Sequence, residues 1–445
     1  MHGRQNISDD TLTPLSLVLL SFIGFGLVYG LNVFIAKNVT AEIYGDYGLA
    51  IRSLVLITTL ILMGTPGAMV VHLSKFFREE RHQDVLSYIR WNQHLIFKSL
   101  GMAIIVSLIL LLIIYTLGYA KKQSLDDYHM AIFMIGVTPA SAFFNIYISV
   151  LFAHKDYYSA KLQKSVGILG IQFTLIAAFA VLFKSLTTAH LTLVILISYA
   201  FMALITFLIT HYKLNGVISL KKIESAPRSI HEKEWLRTAL YFFSNKTGDK
   251  LLGIIDLLLV ESFGHNPHIT GYYTAILTII GFMLIIAKGI NEYLSPLLTQ
   301  INEDMHDDDV KFIQKKLNRT NYYLIGITLI TFIAISLSMK TMLSHFGYKY
   351  QEHAQAAIVL LIGAAAVVIF SIQKTVMEAT GKDKDMLKTN LLHIILIIIL
   401  GPFAVIFYQL IGITTLMAVL ALIFALVKLE MTHRAFPKIK TFIFY

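Results

Sequence analysis

Residues 241–263, YFFSNKTGDKLLGIIDLLLVESF, are long and apolar enough to cross a bilayer, yet they hold Lys246, Asp249, Lys250 and Asp256. An ionisable group at the centre of an inserting helix costs about 2.5–3.5 kcal/mol, so four in one segment need a compensating use. At the helical rise per residue, Lys246 and Lys250 fall roughly 13 and 20 Å beyond Arg237, near mid-membrane. Helical spacing places Asn245, Asp249 and Asp256 on one face, and Lys246 and Lys250 on the adjacent one. Asp249 is within i,i+3 reach of Lys246, which offsets part of the burial cost. A helix of this kind can line a water-filled cavity, its ammonium groups meeting an anion and an aspartate titrating or holding a coupling cation. A salt-bridged knot between helices is the structural alternative. Gly248 and Gly253 permit close packing or a break, as expected where a transporter holds its substrate.

Other polar residues divide by depth. Arg52 lies one or two turns into the second apolar stretch, where its planar fork can bond two oxygens of one anionic group or snorkel outward. Asn32 is an amide inside the first stretch. Asn145, with Ser141 and Ser149 one turn to either side, gives the fourth a polar stripe suited to joining helices or lining a cavity. Lys98, Lys288, Glu292, Lys374 and Glu378 sit near the ends of their stretches and can snorkel to the interface. Asp307–Asp308–Asp309 carries a D-x-D string without any surrounding catalytic domain and reads as a solvated turn. His265 and His268 flank Pro267 in a short loop, too few for a metal site by themselves. The chain contains no cysteine, which excludes disulfides, thiolate metal sites and cysteine nucleophiles.

These residues must be positioned by membrane helices. The 445 residues are 56% hydrophobic and only 14% charged, far below the charge content of a soluble domain. Twelve spans are expected near 12–36, 47–72, 92–119, 129–153, 165–184, 190–211, 238–262, 270–290, 320–340, 354–378, 389–409 and 411–429. The last two are separated by almost no loop and must form a tight hairpin. The first is too long for the core of a cleaved signal peptide and reads as a permanent span. Lys and Arg gather in alternate loops, and only Lys37, Lys121, Lys122, Lys184, Lys340 and Lys349 fall on the opposite side. That asymmetry puts both termini in the cytoplasm and accounts for the net charge of +10 without invoking nucleic acid. Segment 300–319 is expected to form a short amphipathic surface helix behind an acidic turn.

The two halves resemble each other. Gly45 and Tyr47 in AEIYGDYGLAI match Gly271 and Tyr273 in HITGYYTAIL at an offset of 226, and Lys155–Asp156 match Lys382–Asp383 at 227. A shared offset indicates six-plus-six helices in two parallel bundles, 1–211 and 238–445, joined by a cytoplasmic linker at 212–237.

The segment 41–76, AEIYGDYGLAIRSLVLITTLILMGTPGAMVVHLSKF, resembles the N-terminal signature of the polysaccharide flippases of the multidrug/oligosaccharidyl-lipid/polysaccharide exporter superfamily. Glu42, Tyr44–Gly45, Tyr47–Gly48, Gly64–Ala68 and the basic run Lys75–Arg81 stand at the places that carry it, with His72 where the family usually has arginine. The resemblance implies a V-shaped pair of six-helix bundles, like the multidrug and toxin extruders. It implies an O-antigen-type flippase that moves a polyprenyl-diphosphate-linked oligosaccharide to the periplasmic leaflet of the bacterial inner membrane. Arg52, Lys246 and Lys250 would then bind the diphosphate, and Asp249 and Asp256 would pair charge or couple a cation. Asn32, Asn145 and Asn245 would add polar groups to the cavity. No enzyme activity or cofactor is implied, and the partners are membrane lipids, the lipid-linked substrate and the polysaccharide assembly enzymes. A cation-coupled multidrug or small-molecule exporter is the alternative. The acidic residue that proton-driven members carry in the first span is absent from 12–36. The loop LSKFFREER lacks the major-facilitator pattern. No outer loop exceeds about 14 residues, which leaves no room for the outer catalytic domain of a polymerase or ligase.

Overall fold

The computed structural model describes residues 12–121, 129–183, 185–214, 220–227, 229–298, 307–379, 383–436 and 441–442. The described chain is all α-helical, with 91% helix and no strand. Hydrocarbon leaves backbone N–H and C=O groups no partner but each other, so helices are the form these apolar stretches must take. Among the described residues nine segments are long and apolar enough to cross a membrane, which makes this a multi-pass membrane protein.

Two compact units are formed, Met1–Leu31 with Asp46–Lys250, and Asn32–Gly45 with Leu251–Tyr445. The helices run α1 (Leu12–Asn38), α2 (Ala41–Leu62), α3 (Thr65–Arg78), α4 (His82–Lys121), α5 (Met130–Ala153), α6 (Tyr157–Leu162), α7 (Ile168–Phe183) and α8 (Thr188–Lys213). They continue with α9 (Leu220–Ser225), α10 (Glu232–Leu252), α11 (Ile255–Phe263), α12 (Ile269–Leu298), α13 (Asp307–Ser344), α14 (Ala354–Ile369), α15 (Ser371–Ala379) and α16 (Asp383–Ala435). A π-helical turn, Gln163–Gly167, joins α6 to α7, and a 3-10 turn, Tyr348–His353, precedes α14. The expected bundle limits at 211 and 238 describe membrane topology, whereas the compact units divide inside α1, inside α2 and near the end of α10. The described part of 212–237 packs with the first unit. Trp235 is buried against Phe76, Tyr88 and Trp91, and the Arg90 guanidinium donates to the carbonyl of Ala226.

The repeat recurs element by element. Helices α2, α4, α5 and α6 begin at residues 41, 82, 130 and 157, and α12, α13, α14 and α16 at 269, 307, 354 and 383, each within two residues of the 226 offset. Related positions also do related work in their own units. The Asp46 carboxylate accepts from the Met130 N–H at 2.7 Å and lies 3.2 Å from Nδ1 of His129, at the start of α5. Its counterpart Tyr272 packs its ring, tilted, 4.5 Å from that of His353, at the start of α14. Lys382 lies outside the described residues.

Several spans are interrupted. The second, expected as one helix over 47–72, breaks at Met63 and Gly64, whose φ values are 46° and 74°. The seventh breaks at Gly253–Ile254 and the tenth at Phe370. The eleventh and twelfth reverse at Gln409, where φ is 51° and ψ −135°. Beyond that bend His393 stacks on Phe424 at 4.3 Å and Thr389 Oγ1 lies 3.1 Å from Met431 Sδ, so the expected hairpin closes along its length. The separate amphipathic helix expected over 300–319 is corrected: from Asp307 the chain is one helix into the ninth span. Asp307–Asp309 therefore open a helix instead of a solvated turn, at the end where the peptide dipoles favour carboxylates. The acidic turn before them lies outside the described residues.

Candidate functional site: the broken seventh span

Glycine is a poor helix former, and at Gly253 the helix gives way. The break separates what the sequence places on one face: Asp249 ends in the first unit on α10, Asp256 in the second on α11. The continuous stripe Asn245–Asp249–Asp256 is thus corrected, because its register does not survive two non-helical residues. Asn245 lies on α10.

Asp256 occupies the first turn of α11, where unpaired N–H groups and the positive end of the helix dipole favour a carboxylate. It is 4% exposed. Tyr273, fully buried on α12, donates its hydroxyl to Oδ2 at 2.8 Å. The Leu257 N–H donates to Oδ1 at 2.8 Å. Helix break, buried carboxylate and phenol together form the most clearly built polar site on this span. In the sequence Tyr273 stands out only as a repeat match, and its partner seventeen residues earlier, on another helix, could not be read from spacing.

On the other side of the break, Lys246 and Lys250 are exposed one turn apart on α10, and Asp249 is half-buried. The Lys246 ammonium lies 5.7 Å from the centre of the Phe242 ring, within cation–π range. Helix α10 is held in place by the start of α3. A Cβ on Gly64 would sit 2.0 Å from the Ala239 carbonyl oxygen, and one on Gly67 2.6 Å from Phe242 Cγ. The GTPG sequence at 64–67 thus supplies the close backbone approach that positions the lysines. Arg52 is half-buried on α2 in the same unit.

The asparagines serve their own units. Asn32 accepts from the Tyr44 hydroxyl at 3.0 Å, and that hydroxyl lies 3.5 Å from Thr278 Oγ1. Asn145 donates to the Ser141 carbonyl at 2.8 Å, Ser149 donates to the Asn145 carbonyl at 2.8 Å, and Thr58 donates to Ser141 Oγ at 3.1 Å. That stripe therefore joins α5 to α2. His265 Nδ1 lies 2.8 Å from Gln409 Nε2, and among the described residues no group of three His, Asp or Glu side chains is placed to hold a metal ion. A small pocket beside Asn92, Tyr147, Phe207 and His211 has room for about one ordered water.

A polar cluster between spans was missed in the sequence. Asp156 caps α6 by accepting from the Ser159 N–H at 3.2 Å and pairs with the Lys213 ammonium. Partial burial pushes its carboxyl up, but the Lys213 pair and the bonds from Ser159 outweigh this and hold it below the usual carboxylate range.

The fold is shared with solved polytopic transporters. More particularly, it is similar to an inward-facing multidrug resistance MATE family transporter of the MOP superfamily, at a TM-score of 0.72 and 12% identity over 95% of this chain and 98% of that one. A MOP superfamily transporter from Pyrococcus furiosus, whose reversed pocket polarity suggests a different function for it, aligns at 0.67 and 13% identity over 95% of both chains. An outward-facing MATE transporter aligns at 0.66 and 13% identity with the same coverage. No family model and no curated protein matches the sequence.

Proposed function

We propose that this protein is a cation-coupled exporter that works by alternating access, moving a small or amphipathic molecule across the membrane. The observation that carries this reading is Asp256, a buried carboxylate held by Tyr273 at the break of a membrane helix. A coupling ion needs a negatively charged site away from bulk water and next to a segment able to move, and broken helices supply such sites in secondary transporters. The likeness in fold to multidrug transporters over 95% of the chain supports the same reading. Purified protein in proteoliposomes, given an imposed proton or sodium gradient, should drive export of a small organic substrate. Asp256→Asn should abolish the gradient dependence.

A second reading, the flippase for a polyprenyl-diphosphate-linked oligosaccharide, is favoured by Lys246 and Lys250. Two exposed ammonium groups one turn apart, with Arg52 in the same unit, suit a diphosphate and repel an organic cation. In this reading the protein lies in a bacterial inner membrane with both termini in the cytoplasm. Translocation of a labelled polyprenyl-diphosphate oligosaccharide, lost in Lys246→Ala/Lys250→Ala, decides between the two.

A further inference from the structure

Helix α13 extends well past its apolar stretch. Ile313, Leu317, Asn321 and Leu324, at helical spacing, are buried in the second unit. The opposite stripe, Phe312, Lys316, Arg319 and Tyr323, is exposed, with Lys315 and Tyr322 beside it. Its side chains are held in pairs. The Lys316 ammonium lies 4.6 Å from the centre of the Phe312 ring, and Arg319 donates from Nε and Nη2 to the Tyr323 hydroxyl, each at 3.2 Å. The same stripe runs on into Ile327, Ile330 and Leu337, the last two 71% and 83% exposed. Apolar residues so exposed on a membrane helix face lipid, so Tyr322 and Tyr323 stand at the membrane boundary, where tyrosine is enriched. At the helical rise, Arg319 and Lys316 lie about 6 and 10 Å beyond Tyr323, where long side chains reach the headgroup phosphates.

The stripe is strongly cationic: from Val310 to Gln351 the sequence has no Asp or Glu. By contrast Arg81, Lys213 and Arg434, near the ends of other spans, each pair with a carboxylate. The internal repeat supplies a second contrast. Helices α4 and α13 begin at His82 and Asp307, so Tyr88 and Asn92 correspond to Ile313 and Leu317, and all four are buried. Arg90 and Trp91 then correspond to Lys315 and Lys316. In the first unit these two positions hold a covering segment of chain, Arg90 through the Ala226 carbonyl and Trp91 against Trp235 at 5.6 Å. In the second unit the same place is cationic and exposed.

We propose that this stripe of α13 is a binding site for an anionic phospholipid. Lys316 and Arg319 hold the phosphate, Lys315 adds charge, Tyr322 and Tyr323 set the depth, and an acyl chain lies along Ile327, Ile330 and Leu337. Charge-assisted bonds to phosphate are the strong kind. The continuity of the stripe selects a lipid over an acidic polypeptide, because a charged head joined to an apolar tail fills both of its halves. The site does not depend on what the protein carries.

The absence of native cysteine makes the test direct. Full-length protein carrying Ile330→Cys, labelled with bimane, is reconstituted into mixed phosphatidylglycerol and phosphatidylcholine bilayers. One lipid or the other has brominated acyl chains, which quench the probe on contact. Leu204→Cys, at an exposed position on α8, is the reference. Quenching at Ile330→Cys should show phosphatidylglycerol preferred over phosphatidylcholine about fivefold or more, as expected for a cation at the membrane surface. The reference should show little preference. Adding Lys316→Gln/Arg319→Gln, both at exposed positions, should bring the preference at Ile330→Cys down to the reference value. Quenching at Ile330→Cys that is independent of headgroup charge would overturn the proposal and point to an acidic polypeptide as the occupant. An equal preference at Leu204→Cys would show general attraction to a basic protein and no site on α13. A preference that survives the double substitution would remove Lys316 and Arg319 from the site.

Discussion

Gly45 and Gly271, equivalent residues of the internal repeat, lie against each other in the second unit. A Cβ on Gly45 would come within 2.6 Å of the Gly271 nitrogen, and one on Gly271 within 1.9 Å of the Ala41 carbonyl oxygen. The starts of α2 and α12 thus touch backbone to backbone. Gly271→Ala should destabilise the protein by about 1–3 kcal/mol through overpacking, read as a lower Tm in detergent. Gly26→Ala is the control: nothing lies within 4 Å of its added methyl, and it should be neutral or slightly stabilising. Equal behaviour of the two variants would contradict the close contact.

Gly64 has two reasons to resist a side chain: a φ of 74° and the Ala239 carbonyl 2.0 Å from its added Cβ. Gly64→Ala should therefore loosen α10 from α3 and expose Trp235. The expected reading is a red shift and loss of intensity in tryptophan emission, with a cost of about 2–4 kcal/mol. Unchanged emission would mean that α10 is held from elsewhere.

Asp156 predicts an acid-sensitive contact between α6 and α8. Its folded pKa is depressed, so the stabilisation is complete above the ordinary carboxylate value of 3.8 and is lost as pH falls through the lower folded value. Asp156→Asn keeps the cap and loses the ion pair, which should cost under about 1 kcal/mol because Lys213 is partly exposed. Asp156→Ala loses both and should cost about 1–2 kcal/mol. In thermal melts from pH 7 down to pH 3 the wild type should approach Asp156→Asn as the ion pair is lost, with Asp156→Ala, which lacks the cap at every pH, below both. Parallel curves would rule out a titrating Asp156.

Tyr273→Phe removes one hydroxyl from a buried carboxylate and should cost about 1.5–3 kcal/mol, while Asp256→Asn, which leaves an amide able to bond the same phenol, should cost less. The reverse ranking in chemical denaturation would mean that Asp256 is not held by Tyr273.

Much of this architecture was legible in advance because its causes are local. Apolar length fixes a membrane helix, and the missing loop between 409 and 411 fixed the hairpin now seen at Gln409. The 226-residue offset, first visible in Gly45 and Gly271, reappears in where the helices begin. Span continuity was harder to read. Gly64 and Gly253 permit a break, but whether one forms depends on the neighbour that needs the approach, here Ala239 and Phe243 for Gly64. The partnerships Asp256–Tyr273, Tyr44–Asn32 and Asp156–Lys213 were illegible for the same reason: they join residues 12 to 57 positions apart, and no periodicity links them.

The most direct test of the proposed exporter is gradient-driven transport in proteoliposomes, wild type beside Asp256→Asn, with both proteins shown to be folded by their melting curves. Coupled export predicts that an imposed proton or sodium gradient accelerates wild-type transport and leaves Asp256→Asn at the rate seen without a gradient. Equal acceleration of both proteins would remove Asp256 from the coupling site and leave its bond to Tyr273 a structural tie.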